Sequence, residues 1–129
     1  MFFSIDPANG VAIYEQIVRQ VKFAVARDAV KVGEFVPSVR ELARELAVNP
    51  NTVARAYRQL QTDGVLATVR GTGLEVATGA RACCRRETVE IIRLRFRQVL
   101  TEARQSQMTV AEISKLIDSE LKAIEQQES

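Results

Sequence analysis

The chain has 129 residues, 47% hydrophobic and 26% charged, and its 18 basic and 16 acidic residues leave a net charge of +2. That composition is globular rather than disordered and fills one modest domain, with or without an appended element; charges interrupt every apolar run before it reaches the ~18–20 residues of a membrane span. There is no His, which excludes Ser–His and Cys–His catalysis and His-containing zinc sites within this chain.

In chain order, Met1-Phe2-Phe3-Ser4-Ile5-Asp6-Pro7 has no basic segment ahead of an apolar run, so no secretory leader is expected. From residue 11 to about 29, Ile13, Ile17, Val21 and Ala24 recur at helical spacing, widened by Tyr14, Val18 and Val25. Lys31-Val32-Gly33-Glu34 closes that helix with a glycine turn. Pro37 then stops the chain, and Ser38-Val39-Arg40-Glu41 has the spacing of a capping box, in which serine and glutamate side chains bond each other's backbone N–H. The short helix it opens points Val39, Leu42, Ala43 and Leu46 inward and ends in an Ala47-Val48 turn. Asn49-Pro50 marks a third helix, with Asn as N-cap and Pro where its missing donor costs nothing. It runs to about Asp63-Gly64, and Gly64 suits a left-handed stop. Two β-favouring runs, residues 65–69 and 74–77, then flank Arg70-Gly71-Thr72-Gly73 as a hairpin.

Thr78-Gly79-Ala80 reads as a hinge, dividing the chain into residues 1–78 and 79–129. A helix from about residue 86 to 104 carries Val89, Ile92, Phe96, Val99, Leu100 and Ala103 as one stripe, with Ile91 and Leu94 off it. Thr109-Val110-Ala111-Glu112 caps a last helix bearing Val110, Ile113, Leu116, Ile117, Leu121 and Ile124. The expected fold class is mostly α with a small β-hairpin: a winged helix-turn-helix domain followed by a C-terminal two-helix dimerisation element.

Function concentrates in residues 38–63, two capped helices about a brief turn, the arrangement that lays its second helix in the DNA major groove. On that helix Val53, Ala56, Tyr57 and Leu60 share the inward face, while Asn51, Arg55, Arg58 and Thr62 share the other, with Thr52 and Gln59 at its flanks. Asn, Arg and Gln make paired hydrogen bonds to base edges, and Thr contacts thymine methyls or phosphates. Arg70, beside Gly71, Thr72 and Gly73, puts a guanidinium on a tight turn able to approach a phosphate or the minor groove. Arg40 lies near the start of the second helix, suited either to DNA or to an ion pair with Glu41. A plain solvated helix face and an incidental surface turn are the bland alternatives for these residues.

The motifs Ile13-Tyr14-Glu15-Gln16-Ile17, Pro37-Ser38-Val39-Arg40-Glu41-Leu42-Ala43, Val48-Asn49-Pro50-Asn51-Thr52-Val53-Ala54-Arg55-Ala56-Tyr57 and Arg70-Gly71-Thr72-Gly73 together resemble the GntR family of bacterial transcription regulators, in its short-tailed YtrA-like branch. The resemblance implies a winged-helix DNA-binding domain, a homodimer, a palindromic operator and DNA-contact roles for Arg40, Asn51, Thr52, Arg70 and Gly71. By position the expected contacts extend to Ser38, Asn49, Pro50, Arg55, Arg58, Thr72 and Gly73. Three positions depart from the family pattern: Val36 for Leu, Ala54 where longer-tailed relatives carry Arg, and Leu74-Glu75 where an aromatic usually precedes Val76.

The 50 residues from Ala80 onward are too few for the large ligand-binding domain of longer relatives. Two amphipathic helices cannot cover both their faces alone. Val89, Ile91, Ile92, Leu94, Phe96, Val99, Leu100, Ile113, Leu116, Ile117 and Leu121 are therefore expected to pair with a second copy, packing onto the first helix being the alternative. Adjacent Cys83 and Cys84 cannot usefully staple one another and read as incidental thiols, with a redox role the alternative. The reading is a cytoplasmic, sequence-specific homodimeric repressor on double-stranded DNA, with no catalytic residue, metal, cofactor or membrane partner. By resemblance it controls an adjacent ABC-transporter operon, and the plan admits a small-molecule effector. The competing reading is a winged-helix protein-interaction module without specific DNA binding.

Overall fold

The computed structural model describes residues 4–8 and 10–128; the leader reading rests partly on Met1, Phe2 and Phe3, which lie outside them. The elements run α1 (Ile13–Ala26), α2 (Val39–Leu46), α3 (Pro50–Thr62), β1 (Leu66–Val69), β2 (Gly73–Val76), α4 (Ala80–Gln105) and α5 (Val110–Glu128). They form two compact units, Met1–Val89 and Glu90–Ser129.

In the first unit α1 buries Ile17, Val21, Ala24 and Val25 against Leu42, Val53, Ala56, Tyr57 and Leu60 of α2 and α3. Its buried polar residue Gln16 is satisfied by the chain that precedes the helix. Nε2 donates to the Asp6 and Val11 carbonyls at 2.8 and 2.9 Å, and Oε1 accepts from the Asp6 N–H at 2.9 Å. One turn later Gln20 bonds Ser4 in the same paired way, so two side-chain amides stand in for a β-ladder and hold Ile5 against the core. At the other end of α1 the half-buried Lys22 ammonium sits 2.8 Å from Asp63, at the end of α3, and 3.0 Å from Glu87 of α4.

The hairpin pairs antiparallel in the register Leu66↔Val76 to Val69↔Gly73. The segment read in sequence as a closing turn does more than turn. After Gly33, at φ +87°, residues 33–36 run along the outer edge of β2. The N–H groups of Gly33 and Val36 donate to Val76 and Leu74 at 2.9 and 3.0 Å, and Val76 donates to Glu34. A four-residue lane with one buried side chain, Val36, shows no period of its own; the free edge of the hairpin organises it. Helix α4 begins at Ala80, not near residue 86 as the stripe suggested. Ala80 and Cys84 bury in the first unit's core, but the intervening Arg81 and exposed Ala82 hide that spacing.

The turn between α2 and α3 is fixed from three sides. Ser38 Oγ accepts from the Glu41 N–H at 3.1 Å while the Glu41 carboxylate accepts from the Ser38 N–H, completing the capping box. Asn49 Oδ1 accepts from the Asn51 N–H at 2.8 Å. The buried Tyr57 hydroxyl donates to the Pro37 carbonyl at 2.7 Å, tying α3 to the residue ahead of α2. Between the helices Ala47 adopts φ +55°, ψ +45°, a left-handed conformation that costs an L-residue with a Cβ ~1–2 kcal/mol.

In the second unit, the distal part of α4 and α5 are joined by residues 106–109. Gln107 is left-handed, Arg104 donates to the Met108 carbonyl, and Thr109 and Glu112 form the capping box read from the sequence. Helix α5 buries no residue, and Ile91, Leu94, Phe96, Val99, Leu116 and Leu121 are about half-exposed.

Two substitutions at the turn should act in opposite directions in denaturant unfolding. Ala47→Gly relieves the left-handed strain at an exposed site and should raise stability by ~0.5–1 kcal/mol after the entropy gained by the unfolded chain. Tyr57→Phe strips the Pro37 carbonyl of its partner and should lower it by ~1–2 kcal/mol.

Alkaline pH gives a second check. Burial, then the neighbouring Cys83 and Glu87, push the Cys84 thiol from the ordinary 9.0 up to about 11. Burial, then Glu41 and Glu45, raise Tyr57. For Lys22 burial acts downward, but its bonds to Asp63 and Glu87 outweigh it and the net shift is upward. All three keep their protons to higher pH when folded, so rising pH deprotonates the unfolded chain first and draws the equilibrium toward it. Stability should be full below pH 9 and decline toward pH 11, and Cys84→Ala should lessen that decline. The cavity it leaves should cost ~1 kcal/mol at neutral pH.

Candidate nucleic-acid interface

Helix α3 divides as its spacing requires. Val53, Ala56, Tyr57 and Leu60 are buried, whereas Asn51, Arg55, Arg58, Gln59 and Thr62 are exposed and Thr52 is half-buried. Pro50 at the first position and the Asn49 cap leave the start of the helix open to solvent, with the Asn51 side chain beside it. Two polar groups of this face are engaged: the Thr62 hydroxyl donates to the Arg58 carbonyl at 3.0 Å, and Gln59 donates to Asp63 at 3.0 Å. Among the described residues neither Arg40, Arg58 nor Arg70 enters an ion pair. The Arg40–Glu41 alternative is not realised, because the Glu41 carboxylate turns back to cap α2.

The hairpin loop carries Arg70, Gly71, Thr72 and Gly73, all exposed. The Thr72 N–H donates to the Val69 carbonyl at 3.0 Å, closing a turn in which Gly71 has φ +79°. A side chain at residue 71 would be strained in that turn, so glycine presents bare backbone at the tip. Gln61 of α3 donates to Thr68 of β1 at 3.0 Å, anchoring the hairpin to the end of α3. Glu75, in the departing stretch of the wing, is half-buried and paired through its backbone with Phe35.

One contact of this face has no local signal in the sequence. The Arg55 guanidinium lies over the Tyr14 ring of α1, 3.8 Å from its centroid. Tyr14 reads in sequence only as a widening of the α1 stripe, since its partner is brought to it by the packing of α1 on α3. The Ser38 hydroxyl and Asn49 carbonyl oxygen act as caps, leaving the hydroxyl hydrogen and the amide NH2 for an outside partner.

The thiols differ. Cys83 is half-buried and donates toward Glu87 at 3.9 Å, whereas Cys84 is fully buried and held protonated, the opposite of a reactive thiolate. On the second unit, Arg93, Phe96, Arg97, Leu100, Thr101, Arg104 and Gln105 line an open groove of about 620 Å³ along one face of α4. Among the described residues no cluster of three or more Cys, Asp or Glu has metal-binding geometry, and no helix is long and apolar enough to cross a membrane.

Residues 13–76 match the family described as bacterial regulatory proteins, gntR family. The HTH-type transcriptional repressor YtrA of Bacillus subtilis is 36% identical over 99 residues, which are 77% of this chain and 76% of the relative. The crystal structure of a transcriptional regulator from Oenococcus oeni superposes with a TM-score of 0.79 at 29% identity, covering 93% of this chain and 99% of that one. A GntR-family transcription factor, YtrA from Sulfolobus acidocaldarius, gives a TM-score of 0.57 at 29% identity over 95% of this chain and 99% of its own.

Proposed function

The chain belongs to the gntR family of bacterial regulatory proteins and is a winged helix-turn-helix transcription regulator, and from that premise we propose that it is a cytoplasmic homodimeric repressor of a palindromic operator. The observation that carries this reading is the exposed polar face of α3, flanked by Arg40 and the Arg70 turn, whose guanidinium groups make no ion pair among the described residues. Asn51 and Thr52, at the open N-terminal end of α3, are the base readers, with Arg58 one turn or more further along. Ser38, Arg40, Asn49 and Pro50 face the backbone beside them. Arg70, with the bare turn Gly71-Thr72-Gly73, reaches a phosphate or the minor groove. Arg55 joins these contacts.

DNA binding resides in residues 1–78 and dimerisation in the helices of residues 79–129. Val89, Ile91, Ile92, Leu94, Phe96 and Val99 of α4 and Leu116 and Leu121 of α5 leave too much apolar surface in water for a lone chain, and Leu100, Ile113 and Ile117 are half-buried beside them. Charge supports self-pairing: α4 carries seven arginines against three glutamates, α5 five acidic against two basic residues. A twofold dimer sets two α3 helices in successive major grooves. Repression follows from occlusion of a promoter, and the name of the Bacillus relative supports that direction. An adjacent ABC-transporter operon is the proposed target, and a small molecule acting through the tail the proposed means of release.

Selection of duplexes from a random pool, followed by fluorescence anisotropy across a salt series, tests the DNA reading. The wild-type chain should enrich a palindrome, and Asn51→Ala should cut its preference over shuffled DNA about tenfold or more, with affinity falling steeply in salt for both duplexes. Equal binding of both, or of neither, overturns sequence-specific recognition, and absence of any binding favours a protein-interaction module. Sedimentation should give twice the chain mass for the wild type, and Phe96→Glu should yield monomers that keep the helicity of α1 to α3 and lose part of that of α4 and α5.

A further inference from the structure

Arg55 differs from Asn51 and Arg58 on the exposed face of α3 because another element of the fold, α1, already holds its side chain. Helical spacing sets it among Asn51, Arg58 and Thr62, the line along which a groove-bound helix meets base edges. Its guanidinium, however, is drawn to the Tyr14 ring of α1, 3.8 Å from the centroid. The ring is itself held: Tyr14 is half-buried against the core, and its hydroxyl donates to Glu15 at 3.2 Å. The guanidinium carbon lies over the ring, and among the described residues no ion pair takes its N–H groups, so the head is held while its donors stay available. With α3 seated in a major groove, a guanidinium drawn to the flank toward α1 would be turned away from the groove floor, where base edges are, and toward its wall, where phosphates are.

We propose that Tyr14 is a positioning residue that makes Arg55 a phosphate clamp rather than a base reader. The inference rests on the DNA-binding reading above and adds a division of labour to it. Base discrimination falls to Asn51, Thr52 and Arg58, while the Tyr14–Arg55 pair sets how α3 seats against the backbone. A preordered clamp loses less side-chain freedom on binding than a free arginine, and this is what the ring contributes.

The test compares the wild type with Arg55→Gln, Tyr14→Phe and Tyr14→Leu on two probes, the duplex selected by the wild type and a shuffled duplex of the same composition. Arg55→Gln should weaken both by the same factor and lower the salt slope by about one. Tyr14→Leu should weaken both by about three- to tenfold with the slope retained, and Tyr14→Phe, which keeps the ring, should bind like the wild type. In the Arg55→Gln background Tyr14→Leu should cost nothing further. If Tyr14→Leu does not fold by circular dichroism, Tyr14→Met takes its place, and the Arg55→Gln result still separates clamp from reader. Loss confined to the selected duplex with an unchanged slope makes Arg55 a base reader and overturns the proposal, as does an undiminished effect of Tyr14→Leu when Arg55 is absent. A wild type that selects DNA while Arg55→Gln is neutral overturns the clamp alone. A wild type that selects no duplex overturns the DNA reading and the clamp with it.

Discussion

The hydrogen bond from Tyr57 to the Pro37 carbonyl, 2.7 Å long, is the constraint on which the DNA-facing geometry depends. It crosses from the middle of α3 to the residue ahead of α2, so it fixes the angle between the two helices from inside the core. Packing of Leu42, Val53, Ala56 and Leu60 brings those helices together, but aliphatic contacts tolerate sliding, whereas a directional bond of a buried hydroxyl does not. The left-handed Ala47 turn is sustained by that closure: a strained residue persists where its surroundings over-determine it.

Once the two helices are fixed, the remaining polar groups sort by whether the fold uses them. Ser38, Glu41, Asn49 and Gln61 are spent in part on caps and on the tie between α3 and the hairpin. Gln16 and Gln20 are spent on the preceding segment, and Lys22 on binding α1 to the end of α3 and the start of α4. Arg40, Arg58 and Arg70 are left exposed, and no described carboxylate pairs with them. Positive charges kept apart from nearby carboxylates give a solvated helix no stability of their own, but they cost nothing to present to a polyanion.

The second unit follows a different economy. Its helices are well capped, through Thr109 and Glu112 and through the Arg104 bond to Met108, yet α5 buries nothing. Local hydrogen bonding can set the ends of a helix, but only burial supplies the free energy to keep it, so the apolar rows of α4 and α5 are a demand for a partner surface. That demand, together with the opposite charge balance of the two helices, is why self-association belongs with the proposed function.

The sequence by itself determined each feature carried by local chemistry. Both capping boxes, the Asn-Pro helix start, the glycine hairpin turn and the buried side of α3 follow from residues within a few positions of one another, and family membership followed from motifs spread over residues 13–76. Three other features were decided only by the tertiary structure. The lane of residues 33–36 exists because the hairpin offers an unpaired edge, the early start of α4 because Ala80 and Cys84 find room in the core, and the Tyr14–Arg55 stack because α1 packs on α3. In each case the partner is distant in sequence, and neither residue type alone requires the other. Spacing records what a residue does for its own helix or strand; what it does for another element depends on a surface that exists only after the chain has folded.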